Sequence, residues 1–221
     1  MSENLVLFRA VRGIAQGIAM MAFVAIAATV AIHSAKAAEN LPSLAEILSD
    51  RTLGNENAPV TLVEYASLTC PHCANFAKET LPSLKKEYVE TGKVKLIYRD
   101  FPLDNLAMRA AMMARCAPKE RYFGLVETLF GTQPTWIRAA DPSQALQRLG
   151  AVAGLSAENF EACMANKEVF DGILSARAKA DQEQKVNSTP TFFIDGKKVT
   201  GDISLAEFRK QLDAAVAAKA K

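Results

Sequence analysis

Two cysteines stand two residues apart in Cys70-Pro71-His72-Cys73, directly after the hydrophobic, β-branched stretch PVTLVEYAS at residues 59–67. The proline constrains the local fold most. Proline is favoured at the first position of a helix, where its missing N–H is not needed. The segment therefore predicts a buried strand, a turn and a helix, with Cys70 as N-cap and Cys73 one turn inward. At the N-cap the Cys70 sulfur lies beside unpaired N–H groups and the positive end of the helix dipole, so its pKa is depressed. A protonated His72 lowers it further by charge and hydrogen bonding. A stabilised thiolate lowers the free energy of the reduced dithiol, which makes the disulfide a stronger oxidant and Cys70 a good leaving group.

Other uses of a Cys-x-x-Cys pair are weighed on the same residues. A structural disulfide across two residues closes a tiny loop and removes little chain entropy. A structural zinc site needs four ligands, and the sequence has no second Cys-x-x-Cys or histidine cluster to supply them. A Cu(I) carrier needs only two soft thiolates and stays open as a different class of function.

The N-terminus bears on the redox setting. Arg9 and Arg12 precede an uncharged apolar stretch, residues 13–32, which is followed by Ala35-Lys36-Ala37. That is the pattern of a signal peptide over residues 1–37. The stretch is also about long enough to span a bilayer, so an uncleaved membrane anchor is the alternative. Both readings imply export to the periplasm, where disulfides persist. Removing residues 1–37 takes away Arg9, Arg12, Lys36 and Glu3 and leaves a formally neutral chain whose one histidine is His72. Such a balance gives no case for nucleic acid. All four cysteines (Cys70, Cys73, Cys116, Cys163) lie in the exported part, and three pairings are open to them.

Along the rest of the chain, residues 38–58 read as a short helix and a polar, turn-rich linker. A helix runs from about Cys70 to Glu90, with a kink at Pro82. The stretch GKVKLIYRDFP is a second strand. From 104 to 186 apolar residues recur at spacings of three and four, as in several helices; Asp141-Pro142 and Ser156 are helix starts. TPTFFIDGKKVTG returns to strand around Asp195-Gly196, a hairpin signal. A last helix opens at Ser204 with Glu207 completing a capping box. With half its 221 residues hydrophobic and 23% charged, the chain can bury a substantial core. The element order is β-α-β, a helical block, then β-β-α, which favours an α/β fold.

Cys70-Pro71-His72-Cys73 after its strand, together with Ser188-Thr189-Pro190-Thr191 before FFIDG, resembles the DsbA family of exported thiol–disulfide oxidoreductases, and the similarity extends over most of the chain after the leader. The resemblance implies a thioredoxin fold with an inserted helical domain, divided here as 59–103 and 187–221 for the thioredoxin part and 104–186 for the insertion. It implies Cys70 as the exposed nucleophile, Cys73 as its buried partner and Pro190 as a cis-proline that, with Thr189, contacts substrate. Pro190 by itself reads as an ordinary trans turn proline. Glu64 resembles the family's buried acid, able to relay the proton of Cys73; on its own, a lone glutamate in a strand reads as a solvent-facing residue. Cys116 and Cys163 are read as a structural disulfide worth roughly 4 kcal/mol of loop entropy, with two free thiols or a second redox pair as alternatives. They depart from the minimal family pattern.

The expected function is therefore a monomeric periplasmic oxidoreductase that donates the Cys70–Cys73 disulfide to reduced exported polypeptides through a mixed disulfide. It needs no metal or dissociable cofactor, and a quinone-linked membrane partner or a reductant resets it. A disulfide isomerase or reductase of the same fold is the enzymatic alternative, because threonine before Pro190 occurs among such proteins. Met108, Met112 and Met113 are read as core, or else as an adaptable peptide-binding surface. Trp136 is read as a loop anchor.

Overall fold

The computed structural model describes residues 41–219. The expected leader at 1–37, and the anchor that is its alternative, lie outside these residues. Among the described residues no helix is long and apolar enough to cross a membrane.

A five-stranded sheet forms the centre, in the order β1-β3-β2-β4-β5. Strands β2 (Val60–Ala66) and β3 (Val94–Asp100) are parallel, while β4 (Thr191–Ile194) and β5 (Lys197–Thr200) run antiparallel to their neighbours. The expected hairpin joins β4 to β5, with Asp195 and Gly196 both at positive φ (45° and 83°), as a tight two-residue turn requires. Strand β1 (Arg51–Leu53) pairs antiparallel with β3 at the sheet edge. It occupies part of the region expected to be a linker. Three residues carry no readable alternation, and their pairing is decided by the long-range ladder.

The crossover between β2 and β3 is the segment expected as one kinked helix. It is instead α2 (Pro71–Asn75), a π turn (Phe76–Thr80), α3 (Leu81–Leu84) and a second π turn (Lys85–Val89). Leu81 N–H bonds back to the Phe76 carbonyl, a five-residue step just before Pro82. The wider turns make room for a proline ring that a regular helix would crowd. Phe76 anchors this segment: its ring lies 4.6 Å from Phe192 in β4 and 5.3 Å from Phe208 in α10 (Leu205–Lys219). All three rings are buried, and each such pair adds about 0.5–1.5 kcal/mol beyond area burial. This cluster holds the helix that carries Cys73 and is capped by Cys70.

Between β3 and β4 come α4 (Asn105–Cys116), α5 (Tyr122–Gly131), α6 (Gln133–Ile137), α7 (Pro142–Val152), α8 (Ala157–Met164) and α9 (Lys167–Gln184). The sheet with its helical insertion is the α/β architecture expected from the sequence. Asp141 and Ser156 cap α7 and α8 by accepting from Gln144 and Asn159 N–H. The Ser204 hydroxyl accepts from Glu207 N–H. Cys116 and Cys163 form a disulfide, Cα to Cα 6.3 Å, tying α4 to α8. Met108, Met112 and Met113 are buried core residues and present no binding surface. Trp136 lies in the short helix α6, buried, with its indole N–H donating to the Leu129 carbonyl.

A buried ion pair joins these parts. The Arg115 guanidinium, in α4, donates to Asp100 at the end of β3 and to the Ile47 and Ser49 carbonyls beside α1 (Leu44–Leu48). Removing one partner of such a pair strands the other charge, which costs about 3–5 kcal/mol.

Candidate active site

Cys70 is the N-cap of α2, with Pro71 in the first turn. Two devices set its position. The turn closes through Cys70 N–H to the Ser67 carbonyl (3.0 Å). The buried Gln133 side chain then donates its Nε2 to the Leu68 carbonyl (2.8 Å) and the Cys70 carbonyl (3.0 Å). Gln133 was not among the expected site residues. It sits 63 positions from Cys70, and nothing in the local pattern of α6 points to it. Thr69 donates to Asp104, the cap of α4, at 2.7 Å.

Opposite Cys70 stands the Thr189–Pro190 loop, whose peptide bond is cis. The Cys70 thiol donates to the Thr189 carbonyl at 3.3 Å. Gly201 N–H to the Pro190 carbonyl (2.9 Å) and the Thr191 hydroxyl to the Ser188 carbonyl (2.8 Å) hold this loop against β5. The structure therefore brings Cys70, Cys73, Thr189 and Pro190 into one place from two ends of the chain.

Cys70 and Cys73 are free thiols with opposed electrostatics. The Cys70 pKa is pulled down to about 5, first by a hydrogen bond from Cys73, then against the cost of burial by the Thr189 side chain and the backbone N–H groups of Cys73 and His72. His72 thus acts on the sulfur through its backbone amide, and its side chain is exposed. Cys73 is pushed far up, because burial, the hydrogen bond it gives Cys70 and the charges of Glu64 and Cys70 all disfavour its thiolate. At neutral pH Cys70 is a thiolate and Cys73 a thiol.

One expectation is corrected. Cys70, expected to be exposed, is only 5% exposed. The Thr189 carbonyl and the turn at 67–70 cover it, while the neighbouring Pro71 and His72 are open to solvent.

Glu64 is 2% exposed, against the solvent-facing position that a lone strand glutamate suggests. It lies in β2 opposite Tyr98 of β3 and Phe192 of β4. Burial first, and the Cys70 charge second, raise its pKa to about 8. Its Oε1 has no hydrogen-bond partner, nor has the buried Tyr98 hydroxyl. Glu64 is therefore largely protonated at pH 7, beside a cysteine that has to be neutral.

For metals, the site offers two thiols. Among the described residues no cluster of three or more His, Cys, Asp or Glu side chains is placed to hold an ion. A cavity of about 290 Å³ between β3 and α9, lined by Asp50, Arg99, Arg115 and Gln184 among others, does not include the cysteines.

Comparison with known proteins is consistent with this geometry. A thioredoxin family model matches residues 47–214. A Rickettsia conorii protein named as a protein-disulfide oxidoreductase is 30% identical over 169 residues, covering 76% of this chain and 61% of that protein. The chain spans about three fifths of the length of the curated relatives it matches. The crystal structure of Wolbachia pipientis alpha-DsbA1 superposes with a TM-score of 0.72 at 31% identity, covering 77% of this chain and 92% of that one. A protein-disulfide isomerase from Novosphingobium aromaticivorans gives 0.67 at 27% identity, covering 76% and 97%.

Proposed function

Since the chain belongs to the thioredoxin family and, within it, to the DsbA-like disulfide oxidoreductases, we propose that it is an exported oxidase that donates its Cys70–Cys73 disulfide to folding polypeptides. The observation that carries this reading is the asymmetry of the two sulfurs. A sulfur with pKa about 5 is the better leaving group and the poorer nucleophile. That favours giving the disulfide away over keeping it.

A substrate thiolate attacks Cys70 Sγ from the side of the exposed Pro71 and His72. The S–S electron pair goes to Cys73, which leaves as a thiolate and takes a proton from Glu64. A second substrate thiolate then attacks the substrate sulfur of the mixed disulfide and expels Cys70 as a stable thiolate. Substrate leaves oxidised, and two electrons remain on the Cys70–Cys73 pair. Thr189 and Pro190 form the wall against which the substrate backbone lies. Burial of Cys70 makes that approach selective for flexible, unfolded chains. The reaction is placed in the periplasm, and a quinone-linked membrane protein restores the disulfide.

The test is oxidation of a reduced two-cysteine peptide. The wild-type disulfide form converts it, and Cys70→Ser does not; equal conversion by Cys70→Ser would refute the assignment. A second reading, isomerase, is favoured by the likeness to the Novosphingobium protein. Faster recovery of a scrambled multi-disulfide substrate than of a reduced one would select it.

A further inference from the structure

The active-site turn belongs to the thioredoxin part of the chain, yet the side chain that holds its carbonyls comes from the helical insertion. Gln133 opens the short helix α6 and is 5% exposed. Burying a side-chain amide is unfavourable unless its polar groups are bonded. Both hydrogens of this amide go to the active-site turn, one to the Leu68 carbonyl and one to the Cys70 carbonyl.

We propose that Gln133 is a positioning residue through which the helical insertion sets the oxidising strength of the Cys70–Cys73 pair. Its amide fixes the Cys70 carbonyl and so keeps the Cys70 sulfur turned towards the backbone N–H groups that stabilise its thiolate. This deepens the exchange reaction proposed above and rests on it.

The Cys70 carbonyl stands where the chain passes from extended to helical. Cys70 itself is extended, with φ −77° and ψ 121°, and its carbonyl accepts the first helical bond, from Ala74 N–H at 3.1 Å. The Gln133 amide is a second donor to the same oxygen, at 3.0 Å. A carbonyl oxygen has two lone pairs to offer. With both taken, the oxygen cannot swing without breaking a buried bond. The ψ angle of Cys70, which sets its side chain against the N–H groups that follow, is thereby held from two sides. Those of His72 and Cys73 are the ones that bond to the Cys70 sulfur. The second bond from the amide, to the Leu68 carbonyl at 2.8 Å, holds the turn two residues earlier. The donor has firm support of its own. Pro134 stands in the first turn of α6, and the buried Trp136 indole N–H ties that helix to the Leu129 carbonyl of α5 at 2.8 Å.

The influence of α6 runs through these bonds and not through charge. The titratable groups around Cys70 are Cys73 and His72 from α2, Glu64 from β2, Asp104, which accepts from the neighbouring Thr69, and Asp202, which accepts from Asn75. The facing loop at 188–190 carries none, and neither does α6, Gln133–Ile137.

Gln133→Met tests the role, because it keeps the length of the side chain and removes both donors. Two measurements on the full chain, with the Cys116–Cys163 bond intact, read the effect. One is the thiolate titration of Cys70 by ultraviolet absorbance. The other is the equilibrium in which two glutathione thiols reduce the Cys70–Cys73 disulfide to two thiols and leave as oxidised glutathione. The Cys70 transition should rise by about one pH unit, the size of one lost hydrogen bond to a charged acceptor. From a wild-type transition at about 5, that makes the disulfide about ninefold harder to reduce at pH 7 and leaves it unchanged at pH 4, where Cys70 is protonated in both proteins. A structural defect alone would not follow the titration of Cys70 in this way. Gln133→Glu, whose carboxyl has at most one hydrogen to give where the amide gives two, should move both readouts in the same direction, and it carries the test if Gln133→Met does not fold. An unmoved Cys70 transition, or a change in the glutathione equilibrium that is equal at pH 4 and pH 7, overturns the role of Gln133. A wild-type disulfide that glutathione does not reduce at all would instead overturn the exchange reaction on which that role rests.

Discussion

Replacing Glu64 by glutamine tests the energetics of the site through stability. Glutamine has the shape of a protonated glutamic acid, so the exchange removes ionisation and little else. The Glu64 pKa stands at about 8 in the fold against an ordinary 4.5, chiefly because the side chain is buried. A carboxyl whose folded pKa is raised destabilises the fold as pH climbs above its unfolded value, and the penalty is complete above the folded value. The window is therefore pH 4.5 to 8, with no penalty below it. At about 1.4 kcal/mol per pKa unit the full penalty is roughly 5 kcal/mol, of which about 3 is expressed at pH 7. Glu64→Gln should therefore stabilise the reduced protein by about 3 kcal/mol at pH 7, which is roughly 6–12 °C in Tm. At pH 4 it should change little. In the oxidised protein, where Cys70 carries no charge, the gain should be smaller, since burial alone remains. Urea unfolding across this pH range, with the Cys116–Cys163 bond intact, reads the difference. A stability gain that is the same at pH 4 and pH 8 would refute a buried, mostly protonated Glu64.

Three further outcomes are expected. Cys73→Ser should trap the mixed disulfide, visible by mass spectrometry as a covalent complex of Cys70 with a substrate peptide. Opening the Cys116–Cys163 bond by a double alanine substitution should lower stability by about 4 kcal/mol in urea unfolding, while oxidation of a reduced peptide persists. Thr189→Val removes one of the groups that lower the Cys70 pKa, after Cys73; its thiolate titration should move up and its glutathione equilibrium towards the disulfide.

The parts of this architecture that rest on local physics are legible in the sequence. Strong periodicity marks the helical insertion, Asp195-Gly196 marks its hairpin, and Asp141 and Ser156 mark helix starts, because each depends on neighbours within a few residues. The N-cap position of Cys70 follows from Pro71 alone. What escapes the sequence depends on contacts made at long range. Strand β1 exists through its ladder to β3. Arg51, at 1% exposure, donates to the Arg115 carbonyl and lies 5.1 Å from the centre of the Tyr122 ring, and no pattern around residue 51 announces that burial. Gln133 supports the active-site turn from a separate helix. The exposure of Cys70 was expected to be greater because the sequence does not reveal how closely the Thr189 carbonyl approaches its sulfur. The π turns after Asn75 arise where Pro82 and the packing of Phe76 have to be satisfied together.

The central claim is that Cys70 carries its negative charge readily while Cys73 does not. Following the ultraviolet absorbance of the thiolate as the reduced protein is titrated, with the Cys73→Ser form as a control for assignment, measures this directly. The account predicts a single transition near pH 5 that belongs to Cys70, with Cys73 remaining protonated through neutral pH. A Cys70 transition at pH 8 or above, in the range of an unperturbed thiol, would contradict it.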